Sequence, residues 1–286
     1  LKQPQWITLV AGIGLVGLLF FFGRTIPHKK PVEPGVITES SAEQSVPTDT
    51  VLAQARKLLT PEQSQRLNAL EHSVVRGDVK EQQLKVFHQL AHFWRDTVQV
   101  FEPYAWYEAE SARLENSEKS LTFAAHLLLD NLRGETNLAL KTWKALQAKD
   151  LFERSLKINP SNDSSTVGLG ACYIFGNISA MPMEGILKVR GVAERDSTNI
   201  FAQEVLGHGA MLTGQYDKAI GRFETIYRLS ASDNRMRLQA ALLLADAYEK
   251  KSDNELAISW YQKSLPLLQN EDIRKEVLKR IDDLKK

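Results

Sequence analysis

The chain carries one cysteine, Cys172, so it can form no internal disulfide and no cysteine cluster that would hold a metal. An excess of charge of one sign is also lacking: 36 Lys and Arg stand against 35 Asp and Glu. Nucleic-acid binders draw most of their affinity from neutralising phosphates with a basic excess or stripe, and no nucleic-acid partner is expected here. Equally missing are a GxSxG elbow, a Walker loop, a complete zinc motif and a carboxylate pair of recognisable spacing. No enzymatic activity, cofactor or small-molecule substrate is expected. His88 and His92 share one helix face at i and i+4. Gln89 stands where zinc hydrolases place their Glu, and no third ligand follows, so the two read as surface or interhelical histidines. Cys172, inside Gly170-Ala171-Cys172-Tyr173, reads as a small packed residue, and Phe93, Trp94, Phe101, Tyr104, Trp106 and Tyr107 read as helix core.

What the chain does have is a long run without charge at one end. From Trp6 to Phe22 it passes through Ile7, Leu9, Val10, Ile13, Leu15, Val16, Leu18 and Leu19 to three consecutive phenylalanines. About 17 to 25 such residues span a bilayer as a helix. Residues 1–30 are therefore expected to be a membrane anchor with its flanks, contacting lipid through residues 6–23. Trp6 suits the interface, and Arg24, Lys29 and Lys30 mark the far boundary. The run is long for a cleaved signal peptide, and Phe22-Gly23-Arg24-Thr25 lacks a small-x-small cleavage pattern. Gly12, Gly14 and Gly17 match a dinucleotide fingerprint, but inside a membrane span they indicate either close packing on another membrane helix or the ordinary glycine content of such helices. Only Lys2 precedes the run, while three cations follow it. The positive-inside rule then places the rest of the chain in the cytoplasm at a bacterial inner membrane, and a periplasmic placement is the alternative.

Residues 31–50, with Pro31, Pro34, Pro47 and a run of Ser, Thr and Glu, bury too little apolar surface to order themselves and read as a flexible spacer. Helix signals dominate thereafter. An N-terminal helical segment over residues 51–116 contains a start at Thr60-Pro61-Glu62-Gln63, where Thr caps and Gln completes a capping box, with Gly77 as the stop. Asp78 opens a helix that carries Leu84, Phe87, Leu90, Ala91, Trp94 and Val98 on one face and that Pro103 ends. Tyr104–Leu114, Ser117–Leu132 and Leu138–Ile158 follow, the last two stopped by Gly134 and Pro160.

Near the C-terminus two stretches echo one another. Leu206-Gly207, Gly214, Tyr216, Ala219 and Phe223 are answered by Leu244-Ala245, Tyr248, Ala257 and Tyr261, with an offset of 38 between Ala219 and Ala257. This pattern resembles the tetratricopeptide (TPR) family, whose period is about 34. Leu169-Gly170 and Tyr173 resemble a further first helix, with Gly185 at the crossing position, and Ala148, Phe152 and Leu156 a further second one. The resemblance implies an all-α solenoid of antiparallel helix pairs over residues 117–270, capped by residues 271–286. It also implies a scaffold that binds proteins, with first helices lining the binding face. By family position the partner groove would hold Ile174, Phe201, Glu204, His208, Met211, Leu242, Asp246 and Glu249. This set lacks the Lys, Asn and Arg of a carboxylate clamp and describes a mixed apolar and acidic groove for a basic or amphipathic segment. Packing of several of these residues against a neighbouring helix is the competing reading. The role expected is a membrane-anchored adaptor for unidentified protein partners. The alternative is an accessory subunit or chaperone-like helper of a membrane complex such as a translocon.

Overall fold

Local capping chemistry sets most helix boundaries in the computed structural model, which describes residues 45–74, 80–179 and 182–286. Thirteen α-helices, and no strand, form among these residues. The first four are α1 Thr48–Arg56, α2 Pro61–Val74, α3 Lys80–His92 and α4 Phe101–Glu115. Next come the pairs α5 Glu118–Leu132 with α6 Leu138–Ile158, and α7 Asp163–Phe175 with α8 Met183–Arg195. Two further pairs are α9 Ile200–Leu212 with α10 Tyr216–Leu229, and α11 Asn234–Lys250 with α12 Asn254–Ser264; α13 Glu271–Leu284 closes the set.

The capping box forms as expected: Thr60 N donates to Gln63 Oε1 at 3.0 Å, and Gln63 N donates to Thr60 Oγ1 at 3.2 Å. Before nearly every later helix a short polar side chain accepts an otherwise orphaned N–H: Ser117 ahead of α5, Asn162 of α7, Asn199 of α9, Asp233 of α11 and Asn270 of α13. Two expectations are corrected. Pro103 does not end a helix; it sits in the first turn of α4, where its missing N–H costs nothing. The stop before it is Gln99, left-handed at φ 61°, after a π-helical stretch Phe93–Val98. Thr48 and Asp49, read as spacer, belong to α1, because Trp143 Nε1 donates to Thr48 Oγ1 at 2.9 Å and Val51 is buried. The anchor at 6–23, most of the spacer, and the Gly77 stop lie outside the described residues. Among the described residues no helix is long and apolar enough to cross a membrane.

From α5 onward each helix packs on its chain neighbours, and the first helices of successive pairs also touch, α5 with α7 and α7 with α9. The result is a solenoid-like run of antiparallel pairs. Small residues at the crossings make it possible. A Cβ on Gly207 would stand 2.9 Å from Cδ1 of the Phe223 ring, and one on Gly170 would stand 2.8 Å from the Gly185 carbonyl oxygen. Gly185 thus serves the close approach that alanine serves at the fully buried Ala219 and Ala257. Gly214, with φ +70°, turns the chain between α9 and α10 as the repeat pattern requires.

The largest core lies under α5 to α9, around Leu128, Trp143, Phe152, Val167 and Cys172. A second, aromatic one gathers Phe93, Trp94 and Tyr107 with Leu67 and Leu90. Lys144 is only 2 % exposed, yet it is paired with Glu102 at 2.9 Å and Glu135 at 2.6 Å, and so ties α4 to the α5–α6 turn. Nothing in the local sequence around Lys144 marks it as buried.

Candidate functional site

The inner face is built by the first helices α5, α7, α9 and α11. Near their C-terminal ends it opens into a cleft of about 640 Å³. Four of the eight residues expected there line it together: Ile174 from α7, His208 and Met211 from α9, and Asp246 from α11. Phe201 lies further along the same face, half-buried, its ring 5.2 Å from that of His126 on α5. Glu204 is engaged within the protein. Arg133, capping α5, donates to it at 2.7 Å, and the Gln239 amide of α11 reaches it at 3.5 Å.

Leu242 and Glu249 are not part of the cleft. Leu242 packs into the cluster of Leu268, Val277 and Ile281 beneath α13. Glu249 accepts from Arg280 through Nε at 2.9 Å and through Nη2, and from the Tyr261 hydroxyl at 3.2 Å. The reason is helical register. Gln239, Leu243, Asp246 and Lys250 form one stripe of α11 facing the inner side, and Leu242 and Glu249, a heptad apart, form the adjacent stripe facing the cap.

Sequence reasoning missed Arg133, Lys141, Leu212 and Lys250, which also line the cleft. Family positions point to the middle of first helices, whereas these residues sit at helix ends or, for Lys141, on the second helix α6. A basic residue in the last turn of a first helix was the available signal. Their presence corrects the expected mixed apolar and acidic groove. Glu204 is matched by Arg133, Asp246 lies 3.6 Å from Lys250, and Lys141 makes no ion pair with a described residue. The cleft is apolar at its floor and charge-balanced to slightly basic at its rim, and Leu212 projects from it 69 % exposed.

His208 contributes to this face as an uncharged ring. Burial, seconded by the Arg133 charge and opposed by Glu204, holds its pKa down to about 4. Its Nε2 lies 3.8 Å from Glu204, too far for a hydrogen bond, and the ring rests edge-on to Phe223. Burial likewise lowers His126, whose Nε2 meets Ser164 Oγ at 2.8 Å.

His88 and His92 diverge: His88 meets Ser111 Oγ at 3.1 Å, while His92 turns to Asp96 and Arg95 in solvent. No cluster of three His, Cys, Asp or Glu able to hold a metal occurs among the described residues. Cys172 is fully buried, and burial pushes its thiol far up, so it stays protonated and packed.

No family model matches the chain, and no curated protein does. Among solved structures, the crystal structure of yeast Tom70 is similar over 93 % of this chain and 68 % of that one, with 11 % identity and a TM-score of 0.31. An overlap of that quality carries no argument about role.

Proposed function

We propose that the chain is a membrane-anchored scaffold of the TPR type, which holds an amphipathic segment of a protein partner in the cleft between α5, α7, α9 and α11. One observation carries this reading: an apolar cleft of about 640 Å³ lies where first helices of successive pairs converge, with an exposed leucine at its edge. An apolar ridge of a partner helix would cover Ile174, Met211 and Leu212, with its polar flanks meeting Lys141 and Asp246. The spacing of small and aromatic residues from Leu206 to Tyr261 supports assignment to the TPR type. The role is recruitment, without turnover.

The test is co-purification with the full chain. Leu212→Asp combined with Lys141→Glu changes exposed or half-exposed positions, so the melting temperature should hold while partner recovery falls at least tenfold. Undiminished recovery would refute the cleft as the binding site.

The uncharged run over residues 6–22 supports anchoring in a bacterial inner membrane, and its cationic C-terminal flank supports a cytoplasmic scaffold. Ser41→Cys in a Cys172→Ala background should label with an impermeant maleimide only after lysis; labelling of intact cells would place the scaffold in the periplasm. Gly12, Gly14 and Gly17 favour a second reading, in which the anchor packs against helices of a membrane complex. Replacing the anchor by an unrelated apolar helix should then abolish assembly, and intact assembly would argue against that version.

A further inference from the structure

On the other side of α9 a second cleft of about 510 Å³ runs between α8 and α10. Its lining includes Ser197, just ahead of α9, and Gln215, just after it. The cleft therefore follows all 13 residues of that helix, about 20 Å at 1.5 Å per residue. That length suits a stretch of chain better than a compact small molecule.

Its charge is one-sided. Arg190, Lys218, Arg222 and Arg228 line it, and none makes an ion pair with a described residue. The single lining carboxylate, Asp217, is engaged by Lys251 at 2.6 Å. Arg222 is held from below by the buried Gln203, to whose Oε1 it donates at 2.9 Å. Arg190 and Arg222 lie on the helices flanking α9, near enough that the charge of one disfavours that of the other. Burial first, and then Arg190, lowers the Arg222 pKa, with only Glu194 opposing. Cations set facing one another without bridging carboxylates are stabilised by an incoming anion.

The wall of the cleft is also bare at Gly221. Gly221 lies within α10, where glycine weakens a helix relative to alanine. A Cβ there would meet nothing within 4 Å, so no packing inside the described protein requires the glycine. The same lining offers apolar surface at the exposed Met183 and the half-buried Ile186.

We propose that this outer cleft binds an extended acidic segment of a partner protein, its carboxylates on Arg190, Arg222 and Arg228 and its backbone passing close over Gly221. The two linings share Ile174 alone, and every cation of the outer cleft lies outside the inner one, so the proposal does not rest on the inner-face reading: Leu212→Asp should leave acidic-segment binding untouched.

The experiment uses the full chain in a zwitterionic detergent, with a fluorescein-labelled dodecapeptide of alternating Glu and Ala read by anisotropy. Its Lys and Ala counterpart serves as the control. The acidic peptide should bind and weaken steeply with salt, and the basic one should not bind. Arg190→Gln with Arg228→Gln spares the Gln203 bond and should weaken binding about tenfold or more at unchanged melting temperature. Gly221→Leu, which fills open space, should weaken it comparably without loss of stability. Equal binding of both peptides, or wild-type affinity in both variants, overturns the proposal. So does binding confined to pyrophosphate or to phosphatidylglycerol vesicles, which would reassign the cleft to small anions or to lipid.

Discussion

Two glycines of one chain, Gly207 and Gly191, show how much a single residue's surroundings decide. A methyl at Gly207 would press on the Phe223 ring where α9 crosses α10, and Gly207→Ala should destabilise the fold by about 1–3 kcal/mol. Gly191 sits within α8 with nothing within 4 Å, so Gly191→Ala should stabilise by about 0.5–1 kcal/mol. Thermal melts of the pair test both signs. His208 provides the pH dependence. Its folded pKa of about 4 lies below the ordinary value of 6.5, so the fold favours the neutral ring. The stability this contributes is complete above pH 6.5, is lost as pH falls from 6.5 towards 4, and declines no further below that. His208→Phe keeps a ring against Phe223 and should flatten the melting temperature in this window, leaving the smaller slope due to His126. An unchanged slope would show that His208 is not the group responsible.

Helix boundaries are where the chain was most legible, because caps act within three or four residues. Asn199 accepts from Ala202 N at 2.9 Å, and Asn199→Ala should cost about 1 kcal/mol. Asn162 caps α7 through Ser165 N at 2.8 Å, and its amide also donates to Glu118 Oε1 at 2.5 Å and Thr122 Oγ1 at 3.3 Å on α5. Asn162→Ala therefore breaks contacts between helices as well as a cap, and denaturant melts should rank it clearly above Asn199→Ala; equal losses would reduce it to a cap alone. Pro103 shows the limit of local rules, since proline marks a helix's first turn as readily as its end. The Gln99 stop depends on a left-handed backbone that glutamine does not advertise. On α11 the repeat pattern located the helix but not its rotation. One residue of register moves Leu242 and Glu249 from the groove to the cap.

At the scale of the molecule, α13 closes the end of the stack. It covers Leu238, Leu242, Ile258 and Tyr261 with Val277 and Ile281, and Arg280 bonds Glu249. Ending the chain before Glu271 exposes that apolar face, so the truncated protein should aggregate more and lose protection of α11 and α12 first in hydrogen exchange. Uniform protection would show that the cap is dispensable. The all-helical pairing was legible in the sequence because its causes are local or periodic: capping residues, small residues at fixed intervals, and an aromatic four residues beyond each crossing alanine. The same local logic underlies the proposal of a membrane anchor over residues 6–22. The two clefts were not legible. Arg133 meets Glu204 from 71 residues away, and Arg190 faces Arg222 only because α8 and α10 flank α9. Which charges are neutralised and which stand free depends on partners distant in the chain. Composition counted nearly equal charges, and only the tertiary structure paired most of those of the inner face and left the outer cleft cationic.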